Sequence, residues 1–363
     1  MTGLLRSAAL SPAFQRSWLV RVVLPLAFLA SVPFAIQQSW VLNLAVLGVM
    51  YAALASSWNL LGGYTGYISL SHAAFFGIGA YALARIAGST ATLSGYGPFL
   101  LAVPIGIGVA VAAIPVGWIL LRTRHVTFAI VTITVLFIVQ TLAFNLTGVT
   151  GGSEGLAVAN PPFAASDFEQ PFYWAMTILL ALSVVIFEAV RRSRLGLSLT
   201  ALREDEEKAR GLGVPTQPLK IGAFAVSVGI TAMVGAVWGY YVSFIMPQYA
   251  IDPLVMVGVV LTAFLGGKGT LWGPTIGALI VVPAQQYLAF QVGASELYLV
   301  SYAAIFLIVI MLLPRGVVPT LGEWIRSRAA AGSGGPVEPA SEPAGSVTGT
   351  TQPGHTSPQG VST

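Results

Sequence analysis

The sequence contains no cysteine, which excludes disulfide bonds and thiolate metal sites. Its three histidines, His72, His125 and His355, lack the spacing of metal ligands, so we predict no metal site. Charged residues make up only 8% of the chain, against about 25% in a typical soluble domain. With 56% hydrophobic residues and a mean hydropathy of +0.82, the chain is predicted to be an integral membrane protein. That class excludes a water-soluble globular enzyme.

Positive charge is almost absent from the predicted outer loops. All but one of the 17 Lys and Arg residues fall on one side of the predicted membrane, and the exception is Arg85. Basic loops stay in the cytoplasm, so this bias predicts a multi-pass membrane protein with both termini cytoplasmic. The net charge of +4 lies beside the spans, where anionic headgroups attract it. We therefore predict contact with membrane lipid and no nucleic-acid partner.

Apolar runs of about 20 residues, the length that crosses a bilayer, recur along the chain. The candidate spans are 19–38, 41–61, 66–88, 98–121, 126–146, 172–190, 221–245, 254–266, 271–291 and 297–313. The fold class predicted is all-α and polytopic, with about eight to ten transmembrane helices. The third run is rich in Gly and Ser and the eighth is short, so both are candidates for broken or re-entrant helices.

The polar segments divide the chain. Residues 1–20 are predicted to be a cytoplasmic N-terminal segment, and 21–330 to form the membrane domain. Within that domain, the outer loop 147–170 has the Gly and Pro content of ordered turns, and the inner loop 191–220 is strongly charged. Residues 331–363 are rich in Gly, Pro, Ser and Thr, so this tail is predicted to be disordered.

The inner loop has the pattern of one short helix over 196–213, lying along the membrane's inner face. Ser198 is the predicted N-terminal cap, and Gly211 or Gly213 the predicted end. Predicted i,i+4 ion pairs join Glu204 to Lys208 and Glu206 to Arg210, and apolar residues recur on one face at Leu195, Leu199, Leu202 and Ala209. This pattern suits a helix that docks into a groove on a cytosolic partner; the alternative is a solvated loop that follows the charge rule.

A second motif, Trp58 to Ala84, is dense in small residues and carries His72 inside a span. Small side chains let helices approach closely, or let a helix break where its backbone can line a solute cavity. An ionisable group within a span suggests a pathway role, while a hydrogen bond to a neighbouring helix is the packing alternative. The same pair of interpretations applies to the glycines and serines beside it.

The chain has no nucleotide-binding motif. LGGKGTLWGP superficially suggests a phosphate loop, but that loop needs Gly at 262 and a hydroxyl residue at 269. Thr262 and Gly269 occupy those positions. We therefore predict no cofactor and no enzymatic activity in this chain.

Several motifs, in one order along the chain, resemble the high-affinity branched-chain amino acid permeases of ABC importers, and the LivM type more than the LivH type. They are WNLLGGYTGYISLSHAAFFGIGAYALA from Trp58, TGGSEGL from Thr150, GLSLTALREDEEKARGLGV from Gly196, LKIGAFAVS from Leu219, LGGKGTLWGPTIGA from Leu265 and LPRGV from Leu313. Within the third, EKARGLG is similar to the EAA-type motif that inserts into the ATPase subunit, with Lys208 in place of its usual middle Ala.

The resemblance implies partners and roles. The partners are a LivH-like second permease, two LivG/LivF-like ATP-binding subunits on the cytoplasmic face, an extracytoplasmic solute-binding protein and a small amino-acid substrate. The implied ATPase-coupling residues are Arg203, Glu204, Asp205, Glu207, Ala209 and Gly213. The expected substrate-pathway residues are Asn59, Gly62, Gly63, Gly66, Tyr67, Ser69, Ser71 and His72. Glu154 is the candidate for docking the binding protein, or else a solvated turn residue.

Two other functions stay open at this point. Permeases for urea or short amides resemble these motifs equally well, so the solute has an alternative. An ion-coupled secondary transporter would be expected to carry paired acids in mid-span, and the sequence has none there.

Overall fold

A computed structural model describes residues 19–292, except 37, 90–94 and 159, together with 300, 304, 307, 311, 316–321 and 324. The chain divides into two compact units, Met1–Glu323 and Trp324–Thr363, and Trp324 is the one described residue of the second. The predicted tail 331–363 and most of the N-terminal segment 1–20 and of the last span 297–313 lie outside the described residues.

The described chain is built almost entirely of helices. A π-helical turn, Leu19–Val23, leads into the first of them. The helices are α1 Leu24–Ala35, α2 Ser39–Thr65, α3 His72–Ser89, α4 Gly97–Leu120, α5 His125–Asn145, α6 Thr147–Thr150, α7 Glu169–Arg192, α8 Arg194–Glu204, α9 Glu206–Gly211, α10 Thr216–Val242, α11 Pro247–Ala250, α12 Pro253–Gly266 and α13 Gly273–Val292. Two short strands, β1 Leu156–Ala157 and β2 Phe244–Ile245, pair antiparallel.

Membrane-spanning length and apolarity occur in six stretches of the described chain. They are Ser39–Thr65, Gly97–Leu120, His125–Asn145, Glu169–Arg192, Thr216–Val242 and Pro247–Gly266, and Val20–Ala35 is a shorter apolar helix. The predicted all-α, polytopic fold class is confirmed. The number of spans, eight to ten, stays a prediction.

Helix α10 lies at the centre of the described helices. Of its most apolar stretch 72% is buried, against 22% for α5. Small residues explain the difference: a Cβ on Gly235 would lie 2.0 Å from the carbonyl oxygen of Phe76, and one on Gly79 2.0 Å from that of Ala232. Helices α3 and α10 therefore pack backbone against backbone, as small residues permit in lipid.

The third predicted span, 66–88, is broken at its start. Gly66 ends α2 with a left-handed φ of +76°, and the chain then has no regular secondary structure until α3 begins at His72. Side chains of other helices satisfy this backbone, since Thr132 accepts from the Leu70 amide at 3.0 Å and Trp58 donates to the Ser69 carbonyl at 2.9 Å. Irregular backbone at membrane depth requires burial of this kind inside protein.

Helix α7 separates the two long loops. Its 24 residues span about 36 Å, so the loop before it and the loop after it lie at opposite ends of the molecule. The earlier loop is ordered by α6 and by pairing of Leu156 with Ile245. The end of the molecule that carries α8 and α9 is called the basic face below, because Arg191, Arg194 and Arg203 lie there.

Candidate functional site

The loop predicted as one helix over 196–213 consists of two helices that meet at Asp205. Ser193, and not Ser198, caps α8 by accepting a hydrogen bond from the Gly196 amide at 3.4 Å. Ser198 instead donates to the Arg194 carbonyl. Asp205 is extended, with φ −158° and ψ 105°, and its carboxylate caps α9. The single-helix prediction is wrong because Asp205 offers the backbone a cap in place of a continued helix.

The Asp205 cap is well formed. Its Oδ1 accepts from the amides of Lys208 at 3.0 Å and Glu207 at 3.1 Å. The Lys208 amide and its ammonium group, 3.0 Å from Oδ2, hold the pKa of the Asp205 carboxyl below its usual value. Gly213, with φ +84°, follows the end of α9 in a conformation that favours glycine.

One of the two predicted ion pairs is present. Arg210 contacts Glu206 at 3.0 Å, which confirms that pair. Glu204 and Lys208 do not pair with each other: Glu204 contacts Arg203 at 3.1 Å and Lys208 contacts Asp205. The break at Asp205 removes the helical spacing that the Glu204 prediction needed.

The inward side of this loop contacts the glycine-rich motif. Arg203 donates from Nη1 to the carbonyl oxygen of Gly63, at the end of α2, over 3.0 Å. A Cβ on Gly269 would lie 3.2 Å from the same Arg203 nitrogen. Arg203 therefore lies where two glycine-rich segments meet, GGYTG at the end of α2 and the turn GGKGT that follows α12.

Asn59 attaches the end of α2 to the GGKGT turn that follows α12. Its Oδ1 accepts from the Gly269 amide at 2.7 Å and its Nδ2 donates to the Thr270 carbonyl at 2.9 Å. A Cβ on Gly63 would lie 2.2 Å from the Asn59 Oδ1, so the contact needs glycine there. Both polar atoms of the Asn59 amide are thus used by the protein itself.

A buried ionic cluster joins the loop to the first turn of α10. Lys220, 2% exposed, donates from Nζ to Glu206 at 2.8 Å, to the Leu121 carbonyl at 3.1 Å and to the Tyr67 hydroxyl at 3.2 Å. Tyr67 in turn donates to the other Glu206 oxygen at 2.5 Å. The cluster of Lys220, Glu206 and Tyr67 thus connects α10 and α9 to the irregular segment between α2 and α3.

The charge state of Glu206 follows from these partners. Burial raises the pKa of its carboxyl, but the hydrogen bonds from Lys220 and Tyr67 and the positive charges of Lys220 and Arg210 outweigh it. The pKa of Glu206 is therefore below its usual value. Neither Glu206 nor Lys220 was among the predicted site residues, although a lysine at the start of an apolar helix is a signal for a buried partner.

His72 is enclosed by hydroxyl groups. Its Nε2 lies 2.7 Å from the Ser227 oxygen and its Nδ1 3.0 Å from the Ser69 oxygen. Ser227 donates its proton to the Ser57 carbonyl at 2.5 Å, so it accepts from Nε2. In the neutral tautomer that carries its proton on Nε2, Nδ1 is the acceptor for Ser69.

The surroundings of His72 leave little free space. A cavity of ≈ 10 Å³, room for about one water molecule, is lined by His72, Leu54, Phe76 and Thr231, with Ala73, Val255, Met256 and Val259. Among the predicted pathway residues, Gly66 alone is partly exposed; Asn59, Gly62, Gly63, Tyr67, Ser69, Ser71 and His72 are buried. Their assignment to a substrate pathway stays a prediction.

Two predicted coupling residues have opposite environments. Glu207 lies at the surface, 72% exposed at its side chain, and contacts Arg124 at 2.8 Å. Ala209 is buried at 3% exposure. The EAA-like segment thus presents its acid to the surface and packs its alanine against the protein.

At the opposite end of the molecule, Glu154 closes a short 3₁₀ turn, Gly152–Glu154, and is exposed. Arg85 does not contact it. The Arg85 guanidinium donates to the carbonyls of Val149, at 2.6 Å, and Gly148, which bridges α3 to the carbonyl end of α6. Asp252 caps α12 by accepting from the Leu254 amide at 2.8 Å.

Comparison with known proteins identifies relatives along most of the chain. A family model described as "Branched-chain amino acid transport system / permease component" matches residues 40–313. The permease protein LivM of Escherichia coli K12 is 26% identical over 317 residues, covering 79% of this chain and 72% of LivM. LivH of Salmonella typhimurium is 26% identical over 292 residues, covering 76% of this chain and 93% of LivH. No solved structure matches the chain.

Proposed function

Because the chain belongs to the branched-chain amino acid transport permease family, we propose that it is the LivM-type membrane subunit of an ABC importer for branched-chain amino acids. It pairs with a LivH-like permease. Two ATP-binding subunits dock on the basic face, which is cytoplasmic. A solute-binding protein delivers the amino acid on the other side, at the loop that carries Glu154. The partner subunits, and not this chain, hydrolyse ATP.

The observation that carries this proposal is the attachment of α8 and α9 to the glycine-rich motif. Arg203 binds the Gly63 carbonyl, and Glu206 binds both Tyr67 and Lys220. Removing one partner of a buried ion pair costs about 3–5 kcal/mol of stability. Because breaking the cluster is that costly, a movement of α9 displaces the attached backbone and leaves the cluster intact. The loop can therefore transmit a displacement from the ATPase subunits to the irregular segment between α2 and α3 and to the N-terminal end of α10.

Transport then follows as alternating access. Closure of the ATPase pair shifts α8 and α9, and the segment from Asn59 to His72 changes the side on which the passage is open. ATP can drive the solute against its concentration gradient only if ATP binding favours one of the two access states over the other. The loop transmits this difference in free energy to the spans.

The passage itself lies between this chain and the second permease. The space beside His72 holds about one water molecule, which is far too small for an amino acid. In this proposal the buried residues of the motif, Asn59 and His72 among them, fix the shape of the wall that faces the partner. LivM of Escherichia coli and LivH of Salmonella typhimurium are both named for branched-chain amino acids, which favours that solute over the urea alternative.

Replacement of Arg203 by Ala tests the coupling path. In vesicles containing the complete importer, we expect ATP hydrolysis to continue while uptake falls about tenfold, equivalent to 1.4 kcal/mol of lost coupling. The matched control is Arg122→Ala, which removes an exposed arginine on the same face that lies over Trp118. Unchanged uptake in Arg203→Ala, or loss of uptake and hydrolysis in parallel, would contradict the proposal. The solute is identified separately, by measuring what the binding protein binds.

A further inference from the structure

An apolar pocket of ≈ 310 Å³ lies at the basic face between α7 and α10. Leu60 of α2 and Leu199 of α8 line it together with Val190, Leu219 and Val226; Ile186, Leu195, Pro218, Gly222 and Ala223 complete the wall. Every one of these side chains is apolar, so the pocket offers no hydrogen bond to a polar solute. Its position at the membrane end of two spans suits a hydrocarbon chain.

The pocket is open at the surface of the protein. A Cβ added at Gly222 would meet no atom within 4 Å, so the helix surface there borders empty space. Val226 is 42% exposed and Leu195 is 55% exposed at its margin. An unfilled apolar groove of this size loses packing contacts, and lipid is the surrounding material able to fill it.

The mouth of the pocket is positively charged. Val190 and Leu195 bracket Arg191, Arg192 and Arg194 in the sequence. Glu188 is the acid beside them; Arg191 contacts it at 2.5 Å and Arg192 contacts its other oxygen. The Glu188 carboxylate thus already takes the guanidinium groups of Arg191 and Arg192. Arg194 is exposed and has no ion-pair partner among the residues that the structure describes.

We propose that this pocket binds one acyl chain of an anionic phospholipid of the cytoplasmic leaflet, with its phosphate at Arg194, the neighbour of the lining residue Leu195. The apolar wall holds the chain, and the charge of Arg194 selects the headgroup. A zwitterionic headgroup gains less here because its own ammonium group cancels the attraction. Each cationic side chain at a membrane surface favours an anionic lipid roughly fivefold. This inference depends on insertion in the membrane and not on the transported solute.

Native mass spectrometry of the full chain in detergent tests the site. The protein is titrated with phosphatidylglycerol and with phosphatidylcholine of the same acyl chains. We expect one phosphatidylglycerol to be retained with an affinity about fivefold above that of phosphatidylcholine, as one cationic side chain requires. Equal retention of the two lipids would overturn the proposal.

Two matched pairs of variants locate the bound lipid. Gly222→Leu fills the pocket and should abolish the tight phosphatidylglycerol, whereas Gly108→Leu, also at an open helical glycine, should retain it. Arg194→Gln should remove most of the headgroup preference, and Arg122→Gln, elsewhere on the same face, should keep it. Retention of the lipid by Gly222→Leu would show that it binds elsewhere, or that another part of the chain fills the pocket, and would overturn the assignment.

A photoreactive phosphatidylglycerol with a diazirine on its acyl chain gives an independent measurement on the unmodified protein. We expect cross-links to peptides that contain Leu60 or Leu219. Cross-links confined to α4 and α5 would overturn the proposal. Because neither measurement requires ATP or amino acid, failure here leaves the proposed transport function intact, and failure of transport leaves this site intact.

Discussion

The two sides of α9 differ sharply, although they carry neighbouring acids of the same type. On the inward side, Glu206 is 14% exposed at its side chain and binds Lys220 and Tyr67. On the outward side, Glu207 is 72% exposed and contacts only the equally exposed Arg124 among the described ion pairs. The motif resemblance selected Glu207 as the coupling acid. Glu207 is therefore accessible to another subunit, whereas Glu206 is the acid that attaches the loop to the membrane-spanning helices of its own chain.

The largest expected effect comes from Lys220→Met, which leaves Glu206 partly buried without its closest cation. Removing one partner of a buried pair costs about 3–5 kcal/mol, and the partial exposure of Glu206 places the expected loss near 3 kcal/mol. The free energy of unfolding of the full chain in detergent measures it. The control Lys208→Met removes an exposed lysine that pairs with Asp205.

A second variant sharpens this result. Lys220→Met combined with Glu206→Leu should recover most of the stability, since an apolar pair can replace a buried ion pair at little cost. If Lys220→Met proves as stable as Lys208→Met, the cluster does not fasten the loop.

Glu206→Gln should have an intermediate effect that depends on pH. The native pKa of Glu206 is lowered, so its stabilising contribution is present above the unfolded-state pKa of about 4.3 and is lost as the pH falls through the native value. We expect the free energy of unfolding of Glu206→Gln to be about 2 kcal/mol lower than that of the unmodified chain at neutral pH, because the hydrogen bonds of Glu206 involve charged groups.

The pH profile of that difference is the decisive measurement. The thermal stabilities of the two proteins should converge as the pH falls below the unfolded-state value of about 4.3 and through the lower native pKa of Glu206, where the carboxylate becomes protonated. Glu207→Gln serves as the control, with no comparable convergence. A stability gap of constant size across the pH range would show that the charge of Glu206 is not what stabilises the loop.

The smallest expected effect on stability is that of Glu207→Gln. Exposed ion pairs contribute little, so the free energy of unfolding should change by less than about 0.5 kcal/mol. In the reconstituted importer, however, this variant should weaken the coupling of ATP hydrolysis to uptake, because the side chain is available to a docked subunit. A large loss of stability would place Glu207 with Glu206 and remove the distinction between the two sides.

The all-α, polytopic fold class could be predicted because it depends on long apolar runs. Even the break before α3 was indicated by Gly66, which adopts the left-handed conformation that glycine favours. The break at Asp205 could not be predicted in the same way. Helical spacing around it favoured a continuous helix, and only the formed cap shows that the Asp205 carboxylate takes the amides of the next turn.

The site was harder to predict than the fold, for a related reason. Asn59 was predicted for the substrate pathway from its position in a motif, but its amide is used by Gly269 and Thr270, about 210 residues later in the chain. Lys220 was assigned to an inner loop by its charge, yet it is buried by Tyr67 and Leu121. Partners so distant in sequence leave no local pattern, so charge and spacing alone do not show which polar groups are already satisfied.

The irregular backbone between Gly66 and Ser71 has a consequence for the insertion of the chain into the membrane. Its amide at Leu70 is satisfied by Thr132 of α5, and His72 beside it by Ser227 of α10. Both helices leave the ribosome later than this segment, and a lipid-exposed, unsatisfied peptide group costs several kcal/mol. The newly made α2 and α3 must therefore wait in a sheltered place, at the translocon or a chaperone, until synthesis has reached the seventh predicted span.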